Sequence, residues 1–162
     1  CPYCIDIHVT AGRKLNISKE EIVEAIAVSA LVKGGSALYH GLNALNALDA
    51  ERPDDLYARS NLAKVERIEA INEGIYTAFV AFGHETLRSQ SLSAKEKTLI
   101  AVAIAHVTGC AYSIERYTQL AKAEGASLAE IAESILVATA LKAGSAMAHR
   151  VNAYIAYERA EG

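Results

Sequence analysis

The chain of 162 residues is 52% hydrophobic and rich in alanine, with two prolines, two phenylalanines, no tryptophan and a formal charge of −3. That length holds one domain or two small repeats around a shared core, and that composition favours helices packed closely through Ala and Gly. There is no basic footprint for nucleic acid and no unbroken apolar run of the ~18 residues that would predict a membrane span; three cysteines, two of them in a CxxC, point to a cytoplasmic redox or metal site and away from a secreted disulfide framework.

Cys1-Pro2-Tyr3-Cys4-Ile5-Asp6-Ile7-His8 opens the chain. In a helix, Cys1 and Cys4 stand at i and i+3 and Cys4 and His8 at i and i+4, so all three side chains share one face. A thiol reacts as thiolate, a form that a neighbouring histidine or a helix N-terminus favours. A second thiol within reach captures a sulfenic acid as a disulfide before it is oxidised irreversibly. Pro2 suits the first helical turn, where the N–H it lacks would have no helical partner. The predicted helix passes Ile5, Val9 and Gly12 to Leu15, and Asn16 offers a left-handed stop. Because the chain begins inside this helix, and with Cys in place of Met, further residues are expected upstream. A lipidated terminal cysteine fits less well, since no polar, flexible tether comes after it.

Ser18 with Glu21 forms a capping box for a second helix, which runs by Ile22 and Ile26 into the small stretch Gly35-Ser36-Ala37 and on to about Ala50. Arg52-Pro53-Asp54-Asp55 is the sharpest break, and either aspartate can cap the next helix. From Leu56 to Leu87 the uneven periodicity predicts a bridging helix, a slip near Gly74, and another helix through Ile75, Phe79, Val80 and Phe82. The charges Lys64, Glu66, Arg67 and Glu69 read as a solvated face. Ser93 with Glu96 is a further capping box, opening a buried helix over Leu99–Ala105 that is apolar nearly all round. Gly109-Cys110 comes next, Gly125 stops the helix after that, and Ser127 with Glu130 caps the last long one. No segment alternates with period two, so the fold class is all-α.

An internal repeat organises these elements. With Cys1 set on Cys110, an offset of 109, the two halves align without a gap. Tyr3 and Ile5 match Tyr112 and Ile114; Ser18, Glu21, Ile22 and Glu24 match Ser127, Glu130, Ile131 and Glu133; Lys33, Gly35, Ser36, Ala37 and His40 match Lys142, Gly144, Ser145, Ala146 and His149. The chain reads as a duplicated helical hairpin, with a first repeat at 1–52, linking helices at 53–91 and a second repeat at 92–162. Ser113 stands where the first copy has Cys4, and Tyr117 where it has His8. Only the first copy therefore holds two thiols and a base, and Cys110 reads as a small buried apolar group. His40 and His149 occur in both copies, including the one without the thiol pair, so they read as structural, in a cap or an interface. His84 and His106 read as packed or surface residues.

The frame Leu92-Ser93-Ala94-Lys95-Glu96-Lys97, Leu99 to Ala103, Gly109-Cys110, Gly125-Ala126-Ser127, Glu130-Ile131 and Lys142 to Ala146 resembles the carboxymuconolactone decarboxylase and alkylhydroperoxidase D superfamily. Cys1, Cys4 and His8 resemble its alkylhydroperoxidase signature, CxxCxxxH. The resemblance covers nearly the whole chain in two copies. It implies an all-helical homo-oligomer, commonly hexameric for single-repeat members and trimeric for duplicated ones. It also implies peroxide reduction in which Cys4 attacks the peroxide, Cys1 resolves, and His8 relays the proton with a glutamate on the preceding helix. In the second copy that glutamate's position is Thr98, and in the first it falls before residue 1. The partners implied are a peroxide and a dithiol reductant, protein or small thiol; no metal, haem or flavin cofactor is called for.

Other readings remain beside this one. CPYC is also the glutaredoxin tetrapeptide, but that site comes after a β-strand, and no strand is predicted here. Two cysteines and a histidine supply three zinc ligands, with His40 a conceivable fourth, yet CxxC on one helical face is not the usual zinc knuckle. Lactone decarboxylation, the other chemistry of the superfamily, needs a carboxylate and a histidine but no thiol pair. A non-enzymatic oligomer with a vestigial pocket is the last alternative.

Overall fold

The computed structural model describes residues 1–48, 58–65, 67, 70 and 72–160. Helix α1 spans Pro2–Lys14 and α2 Lys19–Leu48; a 3-10 helix at Arg59–Lys64 leads to α3, Glu73–Leu87. Then come α4, Ala94–Thr108, α5, Ala111–Ala123, α6, Leu128–Ala148, and α7, Arg150–Ala160. No strand occurs among the described residues, and the fold is all-α. The predicted break at Arg52-Pro53-Asp54-Asp55 lies outside the described residues. The slip predicted near Gly74 is a helix start: the Asn72 side chain accepts from the Ile75 amide at 3.2 Å, which caps α3 and leaves Gly74 in its first turn.

The repeat is visible in the backbone. After α1, the Ile17 amide bonds the Gly12 carbonyl at 3.0 Å and the Asn16 amide bonds Arg13 at 3.2 Å, with Asn16 at φ 64°. After α5, Ala126 bonds Ala121 at 2.9 Å and Gly125 bonds Lys122 at 3.0 Å, with Gly125 at φ 82°. These are the same Schellman closure 109 positions apart, each turned by a residue that tolerates the left-handed region. The capping boxes beyond them also match. Glu21 and Glu130 each accept from the amide of their serine, Ser18 and Ser127, at 2.6 and 2.7 Å.

Helix α4 is the centre of the core and packs on α2, α5 and α6. Its Ala101, Val102 and Ala105 are fully buried against Val28 and Val32 of α2, Tyr117 and Ala121 of α5, and Ile131 of α6. Small residues on α4 let three helices approach it closely. Val102→Ala removes two methyl groups from this junction and is expected to lower stability by about 2 kcal/mol, as measured by urea unfolding of the reduced protein.

The first helix of each repeat packs on the long helix of the other, α5 on α2 and α1 on α6. That exchange is the arrangement of a pseudo-two-fold pair of hairpins. The pair is unequal in one respect: α4 covers α5, and no described helix lies in the same way over α1. Of the predicted apolar face Ile5, Val9 and Gly12, Ile5 is therefore 64% and Val9 37% exposed, and Gly12 is the buried residue of α1; Ile7 is exposed as well. A related correction applies to α6 and α7. The stretch Leu128–Tyr157 is long and apolar enough to cross a membrane, with a mean hydropathy of 1.3, although Glu130, Glu133, Lys142 and Arg150 interrupt any continuous apolar run. Little of it is buried within the chain, because α4 covers only the side that carries Ile131 and Ala138.

Candidate redox site

The first turn of α1 sets the site. Cys1 is the N-cap residue, Pro2 comes next in the first turn, and the Ile5 amide closes the first helical hydrogen bond on the Cys1 carbonyl at 3.1 Å. This places Cys4 one turn above Cys1, and its thiol donates to the Cys1 sulfur at 3.1 Å. Both are free thiols and half-buried. Nothing larger than a rotation of the side chains separates this arrangement from a disulfide, since an i, i+3 pair in a helix falls within the roughly 4.4–6.8 Å that a bridge requires between Cα atoms.

His8 stands one turn further on the same helix, exposed, and among the described residues its ring bonds neither sulfur. The structure thus brings together two of the three predicted site residues. A different histidine reaches this turn. The ring of Tyr3, which lies between the two cysteines, meets His149 edge-on with centroids 6.2 Å apart. His149 is the C-cap residue of α6, with its Nδ1 2.9 Å from the Ser145 carbonyl. The expected cap or interface role of His149 is what the structure contains, and the only sequence signal for it was its recurrence as the twin of His40. The side chain of His40 lies outside the described residues. His106 bonds the Val102 carbonyl through Nδ1 at 2.8 Å. Among the described residues no cluster of three His, Cys, Asp or Glu side chains could hold a metal ion.

The second repeat shows the same face closed. Cys110, Ser113 and Tyr117, the counterparts of Cys1, Cys4 and His8, are 0%, 0% and 3% exposed beneath α4. Cys110 packs with Tyr39 and Tyr112 as a small apolar residue, and Tyr112 accepts from the Asn61 amide nitrogen at 2.9 Å. Burial pushes the Tyr117 phenol up to about 12. Thr98, at the position of the family's glutamate, donates its hydroxyl to the Lys95 carbonyl of its own helix at 2.9 Å. At the matching positions this copy has Ser113 in place of the attacking thiol and Thr98 in place of the relay carboxylate.

A profile of the carboxymuconolactone decarboxylase family matches residues 1–47 and 73–155, which takes in both hairpins and α3 and α4. The chain belongs to the carboxymuconolactone decarboxylase family. A curated relative, "Uncharacterized protein 4 in cox locus" of Paracoccus denitrificans, is 39% identical over 85 residues, which is 52% of this chain and 77% of the relative. No solved structure matches. For a carboxymuconolactone decarboxylase family member with no strand among its described residues, the CPYC tetrapeptide is a coincidence with glutaredoxins, whose site needs a strand before it.

Proposed function

We propose that this member of the family is a thiol-dependent peroxidase that cycles between a Cys1/Cys4 dithiol and a disulfide. The observation that carries the reading is the 3.1 Å approach of the two sulfurs in the first turn of α1. The Cys4 thiolate attacks one peroxide oxygen; the O–O bond breaks, alcohol or water leaves with a proton, and Cys4 keeps the other oxygen as a sulfenic acid. Cys1 then attacks the Cys4 sulfur, water leaves, and the two sulfurs have supplied the two electrons that reduced the peroxide. A dithiol reductant, protein or small thiol, restores both by exchange. His8 takes the Cys4 proton through a water, within the span of one helical turn. In this scheme the protein works in the cytoplasm as a homo-oligomer, trimeric or hexameric, whose contacts cover the apolar face of α1 and α6 around Ile5 and Leu136.

A second reading is lactone decarboxylation. The family match speaks for it more directly than for thiol chemistry, and among the described residues His8 makes no hydrogen bond to either thiol. One experiment separates the two. Reduced protein treated with one equivalent of an organic hydroperoxide is expected to lose two thiols, mapped by mass to Cys1 and Cys4. Survival of both thiols would overturn the peroxidase reading and leave turnover of a carboxylated lactone as the activity to measure.

A further inference from the structure

A cavity of about 650 Å³, lined by no residue of α1, lies between α2, α3 and α5, with α4 at one side. Its two ends differ. At one end Tyr39 of α2, Tyr76 of α3, and Arg116 and Tyr117 of α5 converge, close enough that Arg116 acts electrostatically on both Tyr39 and Tyr117. From there the wall is mostly apolar, formed by Leu31, Phe79, Val80, Leu87 and Leu120, with His84, Thr98 and Gln119 among them. Tyr76 and Leu87 stand three turns apart on α3, so the cavity extends about 16 Å along that helix.

Three features of the polar end suit an anion. Arg116 is without a carboxylate partner among the described residues, whereas Arg88 at the far end is paired with Glu85 at 3.1 Å. Tyr39 and Tyr117 are 8% and 3% exposed, and neither hydroxyl has a hydrogen-bond partner among the described residues. Gly35 adds no bulk beside this end: a Cβ there would come into ordinary van der Waals contact, 3.4 Å from the Phe79 ring, 3.7 Å from the Tyr39 ring and 3.8 Å from the Tyr117 hydroxyl. Its twin Gly144 has nothing within 4 Å, so these contacts belong to this copy alone. The first repeat also has Ile7 and His8 where the second has Arg116 and Tyr117. The second copy thus carries a phenol where the first has the candidate relay base, and a guanidinium where the first has an apolar side chain.

We propose that this cavity binds an amphipathic monocarboxylate, with its carboxylate on Arg116 and the Tyr39 and Tyr117 hydroxyls and its hydrocarbon body along α3. A guanidinium and neutral phenols form charge-assisted hydrogen bonds to a carboxylate, and the apolar wall takes the body out of water. With its phenol held up to about 12 by burial, Tyr117 stays a donor across the neutral range. Glu124 lines the far end and repels a second carboxylate there. The site requires neither Cys1 nor Cys4, so it stands whether or not the chain reduces peroxides.

The test is titration of the reduced protein with octanoate and, separately, with octan-1-ol. Tyrosine emission is the signal, since there is no tryptophan to mask it, and calorimetry is the check. Octanoate is expected to bind saturably and at least about tenfold more tightly than octan-1-ol. Arg116→Gln, at an exposed position where the fold does not depend on the side chain, is expected to abolish that preference and leave octan-1-ol unchanged. Cys4→Ser is expected to bind octanoate as the unaltered chain does. Equal affinity for acid and alcohol, a preference that survives Arg116→Gln, or no saturable binding of octanoate would each overturn the proposal.

Discussion

Cys4→Ser is expected to abolish peroxide turnover, a fall of about a thousandfold or more, while Cys1→Ser is expected to fail in a different way. Cys1 and Cys4 occupy different places in the first turn, one as the N-cap residue and the other one turn above it. In the proposed cycle only Cys4 meets the peroxide, so a serine there removes the nucleophile. A serine at Cys1 leaves the nucleophile and removes the resolving thiol. That variant should consume one equivalent of hydroperoxide, stop, and be carried to sulfinic acid by excess oxidant. His8→Gln should slow the first step by about a hundredfold, with the two-thiol stoichiometry kept. Peroxide consumption with a dithiol reductant, together with intact mass after one and ten equivalents, reads all three. If Cys1→Ser were the dead variant and Cys4→Ser the one that accumulates sulfinic acid, the assigned roles would be reversed. If both turned over normally, the dithiol would have no part in the reaction.

The hairpin repeat was legible because its signals are local. Ser18 with Glu21 and Ser127 with Glu130 are capping boxes whose hydrogen bonds form within four residues, and Asn16 and Gly125 stop their helices by backbone conformation alone. The Cys1/Cys4 approach was legible for the same reason, since one helical turn fixes it. Burial was not legible in this way. Ile5 and Ile7 have the residue type of a core face but are exposed, because burial depends on which helix lies opposite and α4 lies over α5. The α6–α7 stretch escaped notice because its charges interrupt every long apolar run while its average stays high. The cavity escaped because its parts, Tyr39, Phe79 and Arg116, come from three helices whose separation along the chain carries no pattern. The ion pair between α2 and α4 was hidden too. Lys97 sits at the start of a helix read as apolar, and Glu24 looked like one matched position among many.

That ion pair gives the second large effect. Lys97 is 1% exposed, and its ammonium bonds the Glu24 carboxylate at 2.7 Å and the Arg88 carbonyl at 2.8 Å. Glu24 also accepts from the Ser91 and Leu92 amides at 2.9 and 3.1 Å. One carboxylate thus ties α2 to both the loop before α4 and the first turn of α4. The Lys97 hydrogen bond, against the opposing effect of burial, brings the Glu24 carboxyl down from 4.5 to about 2. A carboxyl held lower in the folded chain stabilises it above the unfolded value, and the stabilisation is lost as pH falls from about 4.5 to about 2. Glu24→Gln is therefore expected to lower Tm by several degrees at pH 7, with the gap from the unaltered chain closing across that acid window. Lys97→Met should cost less at pH 7, because Glu24 keeps two amide partners and some contact with water, whereas Glu24→Gln strands a buried ammonium. Glu130 is also lowered to about 2, first by Lys95 and then by Ser127, but water screens this exposed pair, so its share of the acid loss should be small, and Glu24→Gln should make the slope of the unaltered chain shallower while leaving the Glu130 part of it. Thermal unfolding from pH 7 to pH 2 measures both slopes. A gap that stays constant with pH would mean that Glu24 acts through shape and hydrogen bonding alone, without its charge.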